Sequence, residues 1–142
     1  MDMGVPINWI AVLAAAVVSM ITGYVWYGPL FGKAWMKEVG LSKADMDKRD
    51  KTIGMRMGTL FVGSILMAWV FNHALIFAID YLGIGGVNGA LMGAFFNWLG
   101  FIMPVTLGMK LMEDRSWKLW TIQNGYYLVT LALMGVVLVM WK

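Results

Sequence analysis

Four stretches of this chain run for more than about 20 residues with almost no charge, the length at which an α-helix crosses a hydrocarbon core of about 30 Å. They fall at residues 8–30, 55–79, 87–109 and 117–141. Each is too long to be an ordinary buried strand, and inside a bilayer an isolated segment satisfies its backbone only as a helix. The expected fold is therefore all-α: an integral membrane four-helix bundle, one domain over residues 1–142, with a short cytoplasmic helical loop between helices one and two. Composition agrees, since 61% of residues are hydrophobic and 13% charged, against roughly 45–50% and 25% in soluble domains. No basic residue precedes the first stretch, and it ends in Trp26-Tyr27-Gly28-Pro29 instead of a small-x-small cleavage site. It is expected to stay in the membrane as a span, not to be removed as a signal peptide.

The basic residues orient the bundle. Seven Lys and Arg lie between Lys33 and Arg56, three more are Lys110, Arg115 and Lys118, and only Lys142 stands elsewhere. The positive-inside rule then puts both charged loops, including the 33–56 loop, in the cytoplasm, and both termini outside an inner or plasma membrane. Within the long loop, Ser42 followed by Asp45 reads as the capped start of a helical stretch. Trp35 and Met36 among Lys33 and Lys37 suit the headgroup level, where a basic side chain is worth about 1 kcal/mol towards anionic lipid. A solvated connector with snorkelling lysines fits the same residues.

Several chemistries are missing. Without cysteine there is no disulfide, thiolate catalysis, Fe–S cluster or Cys-ligated zinc. His73 is the only histidine, so a multi-ligand haem or zinc site inside one protomer is not expected. Asp45, Asp47 and Asp50 lack the glycine and closing glutamate of a calcium loop. No Ser-His-Asp arrangement, HExxH or intramembrane carboxylate pair is present, and Gly83-Ile84-Gly85-Gly86 is a turn, not a nucleotide fingerprint. No catalytic residue, metal, cofactor or nucleic-acid partner is assigned, and the net charge of +3 is read through its distribution.

Helices in lipid associate through small residues and interhelical hydrogen bonds. Gly85, Gly89, Gly93, Asn97, Gly100, Pro104 and Gly108 recur at spacings of four and three in the third span. Ala11, Ala15, Ser19, Gly23 and Tyr27 do so in the first, and helix two begins with Gly54 and Gly58. Helix three is thus expected to be the most enclosed, with a helix of the same chain or of a symmetry mate against its glycine face. Asn72, His73 and Asn97 fall at similar depth, with Asp80 seven residues beyond His73 on the same face. They read either as a polar pocket or as interhelical glue, and a His–Asp pair there would suit proton or cation handling. On the cytoplasmic side Gln123 and Asn124 enter helix four beside Tyr126 and Tyr127.

The strings Ile7-Asn8-Trp9 and Trp26-Tyr27-Gly28-Pro29-Leu30-Phe31-Gly32-Lys33-Ala34-Trp35-Met36, with Asn124-Gly125-Tyr126 in the last span, resemble the membrane family known as domain of unknown function 1761. The resemblance covers nearly the whole chain and implies a compact four-span domain. It transfers no catalytic residue. Physically, Trp26 and Tyr27 read as interface anchors, Gly28 as permitting an unusual backbone angle, and Pro29 as a stop to ordinary helix.

Three functions compete. A homo-oligomeric unit for permeation or transport of a small solute or ion, lined by Asn72, His73 and Asn97, leads. A non-enzymatic accessory or lipid-interacting protein working through the basic loop is the alternative. A membrane-embedded enzyme on a lipophilic substrate comes third. Membrane lipids and further copies of the chain are the expected partners.

Overall fold

All four apolar stretches are helical in the computed structural model, which describes residues 4–141. Helix α1 (Trp9–Val25) continues through a π-helical turn at Trp26–Leu30. The connector holds α2 (Gly32–Val39) and α3 (Lys43–Asp50), and α4 (Ile53–Leu82) returns across the bundle. Next come α5 (Gly86–Asn97), a second π-helical turn at Trp98–Ile102, and α6 (Met103–Met112), before α7 (Trp117–Met140) closes the chain. The four continuous spans contain 22, 30, 27 and 24 residues, so even the shortest measures about 33 Å. Their length and composition suffice to cross a membrane, and no strand occurs among the described residues.

Local chemistry sets the ends. The Asn8 side chain accepts from the Ile10 and Ala11 N–H groups, and its amide donates 3.1 Å to the Trp141 carbonyl, so one residue caps α1 and ties it to the end of α7. Gly83 (φ 67°) terminates α4 in the left-handed region, and Gly86 (φ 66°) reverses the chain into α5. At the other end Ser116 caps α7 and its hydroxyl donates 2.6 Å to Glu38 of α2, which brings both charged connections together.

The Ser42–Asp45 capping box is present at the start of α3. Hydrogen bonds from the Ser42 N–H and hydroxyl hold the Asp45 carboxyl below its ordinary value of 3.8. A depressed folded-state pKa contributes stability that is whole above the unfolded value and is lost as pH falls through the folded one. Amide protection over residues 43–50, corrected for the intrinsic pH dependence of exchange, should therefore fall on acidification below the ordinary carboxylate range, and Asp45→Asn should remove that loss of protection.

The centre of the bundle is α7, which packs on α1, α5 and α6 and touches α2. Helix α4 packs on α1 beyond its first turns and meets α5 near the hairpin. The core between them is built from Ala11, Val12, Ala15, Ala68, Phe71, Leu75, Ala94, Leu131, Met134 and Leu138. Small side chains dominate the α1 face, which lets backbones approach where lipid supplies no hydrophobic drive. The first turns of α4 stand apart from all this: residues 51–60 are exposed, and a Cβ at Gly54 or Gly58 would meet nothing within 4 Å.

The third span corrects an expectation. It is the least enclosed, with 17% of its most apolar stretch buried against 39% in the fourth. Gly89 and Gly93 are buried against Ile79 and Leu75, but a Cβ at Gly100 or Gly108 would meet nothing within 4 Å. The cause is the π-helical turn at 98–102. One added residue rotates everything after it by about 100°, so the line facing α7 passes from Gly93 to Trp98, Ile102 and Thr106, and Gly100, Pro104 and Gly108 swing outward. In the first span, Ala11, Ala15 and Ser19 are buried, and Gly23 lies under the Tyr126 ring.

Candidate functional site

The polar residues of the membrane interior come first. His73 is buried, its Nδ1 is 2.9 Å from the Trp69 carbonyl, and its ring stands edge-on to the Trp69 indole at 5.2 Å. Asn97 donates 2.8 Å to the Gly93 carbonyl one turn back. Asn72 is also buried, yet its Nδ2 has no partner. Asp80 is exposed in the last turn of α4. No hydrogen bond joins these four residues to one another among the described residues. His73 and Asn97 instead turn back onto a carbonyl of their own helix.

The family-like strings of helices one and four meet in a single contact at the basic end. Pro29 has no N–H to give to the preceding turn, and the chain widens by one residue there: the Phe31 N–H bonds the Trp26 carbonyl at 2.8 Å. That turn aims the Trp26 indole inward, and its Nε1–H donates 2.9 Å to the Ile122 carbonyl. The ring lies on Gly125, where a Cβ would come 3.0 Å from Trp26 Cζ2. Tyr27 stacks obliquely on Tyr126 at 5.1 Å and edge-on to Trp35 at 5.4 Å. Trp26 is thus a half-buried packing element, not a lipid-facing anchor. Gly28 has no positive φ. The glycine that cannot be replaced in this segment is Gly32, whose Cβ would fall 2.6 Å from the Tyr27 carbonyl oxygen.

A second indole grips α7 from the opposite side, where Trp98 Nε1–H donates 3.0 Å to the Asn124 carbonyl. Asn124 is 2% exposed and engaged at both ends of its amide: Oδ1 accepts from Thr106 at 2.9 Å and Nδ2 donates 2.9 Å to the Trp120 carbonyl. Both π-helical turns thus carry a tryptophan that donates to a carbonyl of α7, two residues apart. This arrangement holds helices; it offers no nucleophile, acid or base.

Beside Asn124, between α6 and α7, lies a cavity of about 120 Å³ lined by Thr106, Met109, Lys110, Arg115, Trp120, Gln123 and Tyr127. Lys110 Nζ sits 4.3 Å above the Trp117 ring, and Arg115 pairs through Nε with Glu113. Trp120 Nε1 is buried without a partner. The tight turn that brings Arg115 round uses Asp114 at φ 51°. Sequence reasoning placed Gln123 and Tyr127 at this level but counted Lys110 and Arg115 only as topology signals. Trp120, Gln123 and Tyr127 at i, i+3 and i+7 share one face of α7, a spacing that marks the site. Among the described residues no group of three His, Asp or Glu side chains is placed to hold a metal ion.

Four helices long and apolar enough to cross a membrane, three of them packed around the fourth, α7, mark the chain by length and composition as a multi-span α-helical membrane protein. The chain belongs to the family described as "Protein of unknown function (DUF1761)", whose model matches residues 10–139. No curated protein and no solved structure matches it.

Proposed function

We propose that this chain is a non-enzymatic, lipid-interacting protein of an inner or plasma membrane, with both termini outside and its basic end against the cytoplasmic leaflet. The observation that carries this reading is the Ser116–Glu38 hydrogen bond, which joins the two connections holding Lys33 to Arg56 and Lys110 to Lys118. Ten basic side chains from both connections thereby gather at one end of the bundle, where each favours anionic headgroups by about 1 kcal/mol. The sides of the bundle expose large apolar residues such as Leu60, Val62, Phe96, Phe101 and Leu133, the surface acyl chains would cover.

The full chain extracted with its surrounding lipid from a mixed membrane tests this. Reversing Lys48, Arg49 and Lys51 to Glu should lower the share of anionic lipid retained several-fold; an unchanged share would remove the basic loop from the function.

A permeation unit formed by several copies is the second reading, favoured by one observation: the Asn72 amide nitrogen is buried without a partner. Under that reading flux in reconstituted vesicles depends on pH and loses that dependence in His73→Ala. Flux that His73→Ala leaves unaltered takes His73 out of the pathway.

A further inference from the structure

We infer that the cavity between α6 and α7 binds a phosphate group, held by Lys110, Arg115, Trp120, Gln123 and Tyr127. The inference rests on the lipid-interacting reading for the origin of its ligand, and names the headgroup chemistry. Three features of the cavity lead to it.

The first is the donor set. Lys110 and Arg115 are cationic, and the Trp120 indole, the Gln123 amide and the Tyr127 hydroxyl supply neutral donors along one face of α7. Glu113, the acidic residue of the same turn that contacts a lining side chain, is engaged on the Nε edge of Arg115, which leaves the terminal guanidinium nitrogens to bind elsewhere. Trp120 Nε1 is buried and unpartnered, and an indole N–H can only donate. Leaving a buried donor unpaired is unfavourable, and an acceptor in the cavity would satisfy it. Neither the Gln123 side chain nor the Tyr127 hydroxyl has a hydrogen-bond partner among the described residues.

Size is the second. A volume of about 120 Å³ lies well under the ~300 Å³ at which pockets for whole small molecules begin. It is large enough for one tetrahedral anion. The third is position. Met109 forms one wall and is 49% exposed, and Val105 and Met112 continue that exposed apolar surface along α6. A phosphate seated among the donors can thus carry acyl chains away over Met109 into hydrocarbon.

The test uses the full chain, freed of lipid in a maltoside micelle and labelled with ¹⁵N at the indole nitrogens. The Trp120 signal is the one missing in Trp120→Phe, a change that keeps an aromatic ring and deletes the donor. Titration with short-chain phosphatidylglycerol should shift that signal downfield, and Lys110→Gln should weaken the apparent affinity about tenfold or more. Inorganic phosphate producing the same shift would show that the anion alone suffices; a shift with the lipid only would assign the site to a headgroup tethered by its chains. No shift with either probe overturns the inference, as does an affinity that Lys110→Gln and Arg115→Gln both leave unaltered. Reversal of Lys48, Arg49 and Lys51, which lie in the other connection, should leave this titration unchanged, so failure of the general lipid reading and failure of this site are separable.

Discussion

Gly135→Leu should cost the bundle about 3 kcal/mol, the upper end of what overpacking a filled core costs, while Gly108→Leu should leave the folded chain as stable as before. Gly135 sits where three helices converge. A Cβ there would already lie 3.2 Å from the Ala90 carbonyl oxygen, 3.2 Å from a Phe71 ring carbon and 3.3 Å from the Ala90 Cβ. Two of those atoms belong to α5 and one to α4, so a larger side chain on α7 pushes both neighbours away at once. Ala90 and Phe71 are themselves buried and have no space to retreat into. At Gly108, exposed on the surface of the third span, an added Cβ meets nothing within 4 Å. Unfolding by graded SDS addition to the protein in mixed micelles measures both. Equal costs at the two positions would mean that the face carrying Gly108 is packed, and would return the glycine line of the third span to the role its spacing gave it. Gly108→Leu lowering stability only at high protein concentration would mean that this face meets another copy.

The contrast between these two glycines shows how far the sequence could be read. Span number, helical class and the clustering of charge follow from hydropathy and from the length a bilayer imposes, so they are visible in one chain. The cap at Asn8 and the Ser42–Asp45 box follow from local chemistry and are visible too. Small-residue periodicity assumes an unbroken α-helix, and the π-helical turn at 98–102 invalidates it for every residue beyond Trp98. Nothing in Trp98-Leu99-Gly100-Phe101-Ile102 announces that turn. Gly135 stands in a run of Val, Leu and Met with no glycine three or four residues away, so only the convergence of three helices reveals it. The candidate anion site was half legible. Gln123 and Tyr127 stand out as polar groups entering helix four, but their junction with Lys110 and Arg115 needs the tight turn at Asp114, where a non-glycine residue takes a positive φ. His73 and Asn97 bond back to a carbonyl of their own helix and the Asn72 amide nitrogen has no partner, a choice set by side-chain direction, which counting residues along a helix does not give.

Trp26→Ala is expected to cost about 3 kcal/mol, the low end for truncating a tryptophan because this one is only half buried. Trp26→Phe separates the two parts of that loss. It keeps a ring over Gly125 and deletes only the N–H that donates 2.9 Å to the Ile122 carbonyl. Hydrogen bonds between membrane helices average about 0.6 kcal/mol and reach about 1.7, so most of the effect must be packing. If so, Gly125→Leu should resemble Trp26→Ala, because even a Cβ would lie 3.0 Å from the indole and a larger side chain evicts the ring. The pair then forms a cycle. Once Trp26 is alanine, the added bulk at position 125 fills the space the indole left, and the double variant should lose less than the sum of the single losses by 1 kcal/mol or more, the size of coupling seen between residues in direct contact. Strict additivity in SDS unfolding would show that Trp26 and Gly125 act independently. It would then follow that the Trp-Tyr-Gly-Pro turn of helix one does not seat helix four, and that the inward indole is a consequence of the π-helical turn at Pro29 instead of its purpose.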